Sequence, residues 1–279
     1  MVTQGGTRAV EIAGAGAALE TLRAVERRVL WLATRIVDHA NRERPRDDPL
    51  KVGGHQASSA SVVSLMTALW FADLGADDRV AVKPHASPVL HACEYLLGRL
   101  ERRYLTRLRA FGGLQAYPSR TKDPFPVDYS TGSVGVGAAA PLFDALTDRY
   151  LRAHFGDRRP AGRFISLMGD AELDEGNVWE AVLEPAARRL GRLLFIVDVN
   201  RQSLDRVVPI IRAAELEREF QAAGWHVIEL KYGRRLQAAF REPGGDVLRR
   251  QIDHMPNQVY QGLFGADDEA VRAALSRSL

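Results

Sequence analysis

The strongest constraint on the fold comes from residues 164–204, which have the pattern of one complete β-α-β unit. Two short apolar runs, residues 164–168 and 193–197, each end in polar residues, and apolar residues between them recur at the spacing of one helix face. Pro185 interrupts the helical segment, so we expect the helix to break near it. The pattern predicts an α/β fold, an open and mostly parallel sheet flanked by helices on both faces.

Polar residues follow both predicted strands. The first strand ends in Gly169, Asp170 and Ala171, and the second in Asp198, Asn200 and Gln202. Ligands of open parallel sheets bind beyond the carboxyl ends of the strands, where a carboxylate and a carboxamide would supply oxygen ligands for Mg²⁺. The N–H groups of the turn and of the following helix N-terminus would face the phosphates of a ligand. The residues predict a Mg-diphosphate site, although Gly-Asp turns after strands also occur as purely structural turns.

Two histidines lie on connections that lead into helices. His55 stands in GGHQASS before a helical segment, and His85 follows a short predicted strand at residues 79–82 and precedes a helix that begins near Pro88. Such loops gather at one edge of a sheet, and the near-neutral pKa of histidine suits proton transfer. Both are therefore candidate catalytic residues, while a capping or core role remains open for His55. His91, inside the helix, is expected to be a packing residue.

Gly169-Asp170, followed about thirty residues later by Asn200 at the end of an apolar strand, resembles the thiamine diphosphate motif of the transketolase superfamily. More narrowly, GDAELDEGN together with VDVNRQSLD resembles the homodimeric bacterial type of pyruvate dehydrogenase decarboxylase component. The resemblance runs in unbroken order over most of residues 50–265 and implies thiamine diphosphate and Mg²⁺ as cofactors. The resemblance implies a metal site at the two strand ends, with Asp170, Asn200 and the main-chain carbonyl of Gln202 as Mg²⁺ ligands. It also implies that Gly169, Ala171 and Leu204 contact the cofactor.

Three other segments are similar to the same family. GGHQASS and HASPVLHACEYLLGRL match the segments whose histidines line the thiazolium end of the cofactor, which implies that role for His55 and His85. LQAYPS resembles a loop that contributes a tyrosine to the site wall, here Tyr117, for which a surface position is the alternative. STGSVGVG resembles the family's glycine-rich turn and helix start, where backbone N–H groups can approach a ligand closely. The resemblance implies cofactor contacts from this turn at Gly132, Ser133 and Val134, although close helix packing would also explain the glycines.

The chain departs from the family pattern at two places. Ala171 stands where the family has the second glycine of Gly-Asp-Gly, and the added methyl group leaves the N–H donor in place. Lys83 and Pro84 stand where the family commonly has Gln-Gly, so the substrate pocket is expected to differ from that of the family.

The remaining sequence indicates an ordinary globular chain. We expect a flexible N-terminal arm at residues 1–16, a single diphosphate-binding domain at residues 17–279 that opens with an amphipathic helix, and a strand at residues 225–230. The net charge is +3, and its arginines are interspersed with acids, which argues against nucleic acid as a partner. The chain has no apolar run of membrane-spanning length, so no membrane partner is expected. The single cysteine, Cys93, excludes an intrachain disulfide and fits a cytoplasmic location.

The resemblance also implies a partner. In the superfamily, a glutamate on a second, pyrimidine-binding domain activates the cofactor, and the chain contains no match to that domain. We therefore expect a separate pyrimidine-binding β-subunit that supplies this glutamate, in an α2β2 heterotetramer. The expected function is the α-subunit of an enzyme that decarboxylates a 2-oxo acid and transfers the acyl unit to a lipoyl group or another acceptor. The alternatives are the N-terminal subunit of a split transketolase, which transfers a ketol unit between sugar phosphates, and a non-catalytic scaffold subunit.

Overall fold

The computed structural model describes residues 15–45, 50–54, 56–156, 159–200, 202–203, 206–207, 213–263 and 265–276. The helices in this part of the chain are α1 (Ala15–Asp38), α2 (Gln56–Ala60), α3 (Val63–Ala68), α4 (Ser87–Leu96), α5 (Val136–Phe155), α6 (Gly176–Val182), α7 (Ala213–Ala222), α8 (Arg234–Ala239), α9 (Gly245–His254), α10 (Asn257–Gly262) and α11 (Asp268–Ser276). The strands are β1 (Arg79–Val82), β2 (Phe164–Gly169), β3 (Leu193–Asp198), β4 (Gln202–Ser203) and β5 (Arg206–Val207). Short 3₁₀ turns lie at Pro84–Ala86, Arg102–Tyr104, Asp170–Asp174 and Pro185–Arg189.

Three strands form a mostly parallel sheet that is flanked by helices, which confirms the predicted fold class. The order is β1-β2-β3, so that β2 is central, and all six of its residues are buried. A mostly apolar run such as FISLMG, whose single polar side chain is the buried Ser166, is typical of a strand that is covered on both faces. β4 and β5 form a separate antiparallel pair in which Gln202 lies opposite Val207.

The chain forms two compact units. The first comprises residues 1–133 and 159–166, and the second comprises residues 134–158 and 167–279. The predicted arm at residues 1–16 lies almost wholly outside the described residues, and the single domain predicted for residues 17–279 stays a prediction.

The core of the first unit is a helical layer built around α1. This helix packs against α2, α3 and α4. Its apolar residues recur at helical spacing, and Val29, Ile36 and Val37 are at most 2% exposed. The predicted first helix is confirmed, and a π-helical turn at His39–Glu43 continues it.

The core of the second unit lies between α5, α6 and α7, with one end of β2 beside them. Its buried members include Met168, Val178 and Phe220, and the aromatic rings of Trp179 and Trp225 pack against them. The predicted helix between β2 and β3 is interrupted as expected. α6 ends at Val182, and a 3₁₀ turn begins at Pro185, whose ring cannot continue the helical hydrogen bonding.

The strand predicted at residues 225–230 is wrong, because these residues form no strand in the described structure. Trp225 and Val227 pack against the core, whereas Ile228 and Leu230 are 71% and 93% exposed. The resemblance of residues 219–230 to the family predicted this strand, and the structure has in its place an irregular connection with two side chains packed inward. Among the described residues, no helix combines the length and apolar character needed to cross a membrane.

Candidate functional site

His85 is presented by the 3₁₀ turn Pro84–Ala86, which follows the carboxyl end of β1 by one residue. The turn is closed by a hydrogen bond from the Ala86 N–H to the Lys83 carbonyl, at 3.0 Å. The Ser87 hydroxyl donates to the Pro84 carbonyl at 2.8 Å and so joins the turn to the start of α4. The imidazole is half-buried at the end of a strand, which is a suitable position for a group that meets a ligand.

Tyr117 and the glycine-rich loop lie close to His85 within the first unit. The rings of His85 and Tyr117 have their centroids 5.9 Å apart. A Cβ atom at Gly132 would lie 4.0 Å from Cδ2 of Tyr117, so this glycine lies alongside the tyrosine ring. The Thr131 hydroxyl donates to the Val82 carbonyl at 2.6 Å and fixes the loop to the end of β1. The structure thus gathers His85, Tyr117 and Gly132, while Ser133 follows in the loop with an exposed side chain.

Lys83 places a buried cation at the end of β1. Its side chain is 3% exposed, and its ammonium group donates to the hydroxyls of Ser58 and Ser61 at 3.1 and 3.4 Å. Lys83 and Pro84 are the residues at which the sequence departs from the family pattern. The departure therefore places a buried lysine two residues before His85 and a proline at the first position of the turn that carries His85.

His91 lies on α4. It is fully buried, its Nε2 lies 3.5 Å from Oδ1 of Asp123, and its ring meets Phe125 edge-on with centroids 5.7 Å apart. A distance of 3.5 Å is longer than an ordinary hydrogen bond. These contacts are those of a packing residue, as the sequence predicts.

In the second unit, the turn after β2 carries Gly169, Asp170 and Ala171. The 3₁₀ turn Asp170–Asp174 begins at the first residue after the strand, and the side chains of Asp170 and Ala171 are half-buried. Glu172, within this turn, is 6% exposed. Its Oε2 accepts a hydrogen bond from the Gly169 N–H at 2.9 Å, and its Oε1 accepts one from the Gly135 N–H at 3.2 Å. The sequence interpretation missed Glu172, although its three-residue spacing from Gly169 matches half of a capping box.

Gly135 ends the glycine-rich loop directly after the predicted contact residue Val134. Its φ of +85° lies in the left-handed region, and α5 begins at the next residue. A Cβ atom at this position would lie 2.4 Å from Oδ1 of Asn177 and 3.0 Å from Cβ of Glu175. Only glycine fits both the conformation and the space. The backbone at the start of α5 is therefore packed against the start of α6.

Asn200 and Gln202 follow β3, which ends at Asp198. The Asn200 N–H donates to the Asp198 carbonyl at 3.2 Å and turns the chain towards β4. Cα atoms of β4 come within 8 Å of Cα atoms of the Asp170–Asp174 turn. The backbone of Gln202 is thus brought near the turn that carries Asp170, as the predicted Mg²⁺ site requires. His55 and Leu204 lie outside the described residues.

The donor set fits a hard divalent cation. The described residues contain no group of three or more His, Cys, Asp or Glu side chains that could hold a metal. The predicted ligands are instead one carboxylate, one carboxamide and one main-chain carbonyl, and Mg²⁺ uses such oxygen ligands together with water and phosphate oxygens.

An α/β fold with an aspartate and an asparagine after the adjacent strands β2 and β3 is typical of the class of proteins that bind a phosphate-containing ligand at strand ends. The chain belongs to the transketolase family, thiamine diphosphate-binding domain, whose family model matches residues 68–241. This confirms the resemblance that the sequence motifs indicate. Mg²⁺ and the individual site residues stay predictions.

Similar proteins extend the match to most of the chain. The pyruvate dehydrogenase E1 component of Cupriavidus necator is 30% identical over 260 residues, which cover 87% of this chain and 28% of the relative. The 6-deoxy-6-sulfo-D-fructose transketolase subunit SqwG of a Clostridium species is 30% identical over 185 residues, which cover 62% of this chain and 65% of that subunit. A solved structure, transketolase from Leishmania mexicana, matches with a TM-score of 0.66 and 24% identity over 75% of this chain and 32% of that chain. The chain thus spans less than a third of the length of the E1 relative.

Proposed function

We propose that this chain is the thiamine diphosphate- and Mg²⁺-binding α-subunit of an enzyme that decarboxylates a 2-oxo acid and transfers the acyl unit. The observation that carries the proposal is the extent of the similarity. The pyruvate dehydrogenase E1 relative matches 87% of the chain, whereas the sulfofructose transketolase subunit matches 62%. The E1 match therefore takes in more of the chain than the domain family model, which is confined to residues 68–241.

The proposed roles follow from the chemistry of the residues. Decarboxylation chemistry is supplied by thiamine diphosphate when it is bound. Asp170, Asn200 and the main-chain carbonyl of Gln202 would bind Mg²⁺, which would neutralise the charge of the diphosphate, and the Gly169-Asp170 turn would place the carboxylate ligand at the end of β2. The imidazole nitrogens of His85, and of His55 by resemblance, exchange protons with the reacting carbonyl and carboxylate groups.

Further cofactor contacts are assigned to residues near His85 and near Asp170. Tyr117 and Gly132 would form the wall of the cofactor site beside His85. The rings of Tyr117 and His85 have their centroids 5.9 Å apart. By resemblance, Ser133 and Val134, which follow Gly132 in the sequence, would also contact the cofactor. Ala171 would lie beside the diphosphate, where its N–H donates to Oδ1 of Asp170 at 3.1 Å and orients that carboxylate, and Leu204 would add an apolar contact by resemblance.

We further propose that the chain acts with a separate pyrimidine-binding β-subunit in an α2β2 assembly in the cytoplasm. Similarity to the sulfofructose transketolase subunit supports this arrangement, because that relative is named as a subunit and the match covers 65% of its length. The activating glutamate would come from the β-subunit, and a lipoyl group or another acyl acceptor would receive the product.

A second candidate is a subunit of a split transketolase. Similarity to the sulfofructose transketolase subunit favours this candidate, because the match covers 65% of the length of that subunit but only 28% of the length of the E1 relative. The two candidates use the same cofactor site and differ in the donor substrate, a 2-oxo acid in the first and a ketose derivative in the second.

The test is a donor screen on the chain co-purified with the polypeptide encoded by the neighbouring reading frame. With thiamine diphosphate and Mg²⁺ present, we expect CO₂ release from a 2-oxo acid, and we expect the Asp170→Ala complex to release none. Ketol transfer from a ketose or sulfoketose without CO₂ release would select the second candidate. Absence of both reactions in a complex that binds the cofactor would favour a scaffold subunit.

A further inference from the structure

Glu172 joins the two glycine turns of the second unit. One oxygen of its carboxylate accepts from the Gly169 N–H at 2.9 Å, and the other accepts from the Gly135 N–H at 3.2 Å. We propose that Glu172 is a positioning residue that holds the Gly169-Asp170 turn and the start of α5 at the separation that a diphosphate requires. This inference rests on the proposed function, because it assigns Glu172 a role at the same cofactor site.

Local capping accounts for only one of these two bonds. A glutamate that accepts from the N–H three residues before it is the ordinary reciprocal bond of a capping box. The bond to Gly135 joins residues that are 37 apart in sequence, and it connects the turn to a different loop. The same carboxylate thus fixes the turn after β2 and the residue that precedes α5.

Burial makes this connection rigid. Glu172 is 6% exposed, so moving either turn away would remove a hydrogen bond from a buried carboxyl group, which is costly in a site from which water is excluded. Gly135 is also confined from the other side, since a Cβ atom there would lie 2.4 Å from the Asn177 side-chain oxygen. The residue that sets the direction of α5 is therefore held between Glu172 and the start of α6.

The side-chain chemistry at position 172 can be tested by near-isosteric changes. Glutamine replaces one acceptor oxygen by an NH₂ group, which would point a donor at a backbone N–H donor. Aspartate keeps both acceptors but is shorter by one methylene, so it cannot reach both turns in the same geometry. Both variants keep a polar side chain of similar size and are expected to fold.

The first measurement is site-resolved hydrogen exchange on the chain alone. We expect Glu172→Gln to speed exchange of the Gly135 or Gly169 amide by about tenfold or more, because the bond that protects the amide is weakened. Glu184→Gln is the matched control. Its carboxylate accepts from the Ala186 N–H at 3.0 Å at the start of another 3₁₀ turn and contacts neither glycine turn.

The second measurement is calorimetric titration of thiamine diphosphate into the co-purified complex at saturating Mg²⁺. We expect Glu172→Gln and Glu172→Asp to raise the dissociation constant by about tenfold at a temperature far below unfolding, with the Glu184→Gln value unchanged. A purely structural glutamate would lower the melting temperature and leave the dissociation constant of the folded protein as it is.

The outcomes separate this inference from the proposed function. Unchanged amide exchange, or an unchanged dissociation constant in a complex that binds the cofactor, overturns the role of Glu172 and leaves the proposed function standing. If the wild-type complex binds no thiamine diphosphate, the proposed function fails and the positioning role fails with it, whatever the exchange data show.

Discussion

Asp78 and Arg163 connect the beginnings of β1 and β2, and this connection predicts a specific dependence of stability on pH. Oδ1 of Asp78 accepts from the Arg163 backbone N–H at 2.6 Å, and Oδ2 accepts from Nε and Nη2 of the same residue at 3.0 and 2.5 Å. The Gly75 N–H donates to Oδ2 at 3.0 Å. The Arg79 N–H, in turn, donates to the Arg163 carbonyl at 2.9 Å. The carboxylate therefore helps set how the two strands begin.

The magnitude follows from the pKa of Asp78. Burial by itself raises this pKa, but the hydrogen bonds from the side chain and backbone of Arg163, and from the Gly75 N–H, outweigh it and lower the pKa from 3.8 to about 2. At about 1.4 kcal/mol per pKa unit, the ionised carboxylate contributes about 2 kcal/mol to the free energy of unfolding. Because the pKa is lowered in the folded state, this contribution is present above pH 3.8 and is lost as the pH falls towards 2.

The perturbation is Asp78→Asn, which removes the titrating group. We expect the difference in unfolding free energy between wild type and variant to shrink by about 2 kcal/mol between pH 5 and pH 2, because only the wild type loses the contribution of the ionised carboxylate. Urea denaturation followed by tryptophan fluorescence at a series of pH values measures this. Glu101→Gln, which removes an exposed ion pair with Arg103, is the control and should change little. A difference that stays constant over this pH range would refute the reasoning.

Three further predictions concern single residues. Gly135→Ala should lower the melting temperature in scanning calorimetry more than Gly156→Ala does. Both glycines have positive φ, but an added Cβ atom would lie 2.4 Å from another atom at Gly135 and would meet no atom within 4 Å at Gly156. Equal losses would contradict the packing argument. His85→Gln should lower turnover of the co-purified complex by about 100-fold or more and leave cofactor affinity nearly unchanged, whereas His154→Gln, on the exposed part of α5, should do neither. Cys93 should resist alkylation by iodoacetamide at pH 8 until the protein unfolds, because burial raises the pKa of its thiol. Mass spectrometry measures the labelling, and rapid labelling of the native protein would contradict this prediction.

The sequence predicted the strands of the sheet because their patterns are local. β1, β2 and β3 are short apolar runs bounded by charged or glycine-containing segments, and a run of this kind specifies a buried strand without information about its neighbours. The break at Pro185 and the start of α5 after Gly135 were likewise predictable from single residues, since proline and glycine have special backbone requirements.

Tertiary contacts account for what the sequence did not predict. At residues 225–230 the resemblance to the family predicted a strand, but these residues form none. Instead the Trp225 ring packs on Phe195, and its indole N–H donates to the Val182 carbonyl at 2.9 Å. The bond from Gly135 to Glu172 is equally invisible in the sequence, because it depends on how two loops 37 residues apart come together. Local patterns identified the two turns of the candidate site, but only the fold shows the side chain that joins them.

We propose that Asp170 anchors a Mg-diphosphate group in this chain. The proposal can be tested by calorimetric titration of thiamine diphosphate into the co-purified complex, with Mg²⁺ and then with excess chelator. We expect saturable binding that requires Mg²⁺, and we expect Asp170→Ala to abolish it or weaken it by at least about 100-fold, since this carboxylate is the only charged ligand of the predicted set. Binding of equal affinity in the Asp170→Ala complex, or binding that is indifferent to chelator, would contradict it.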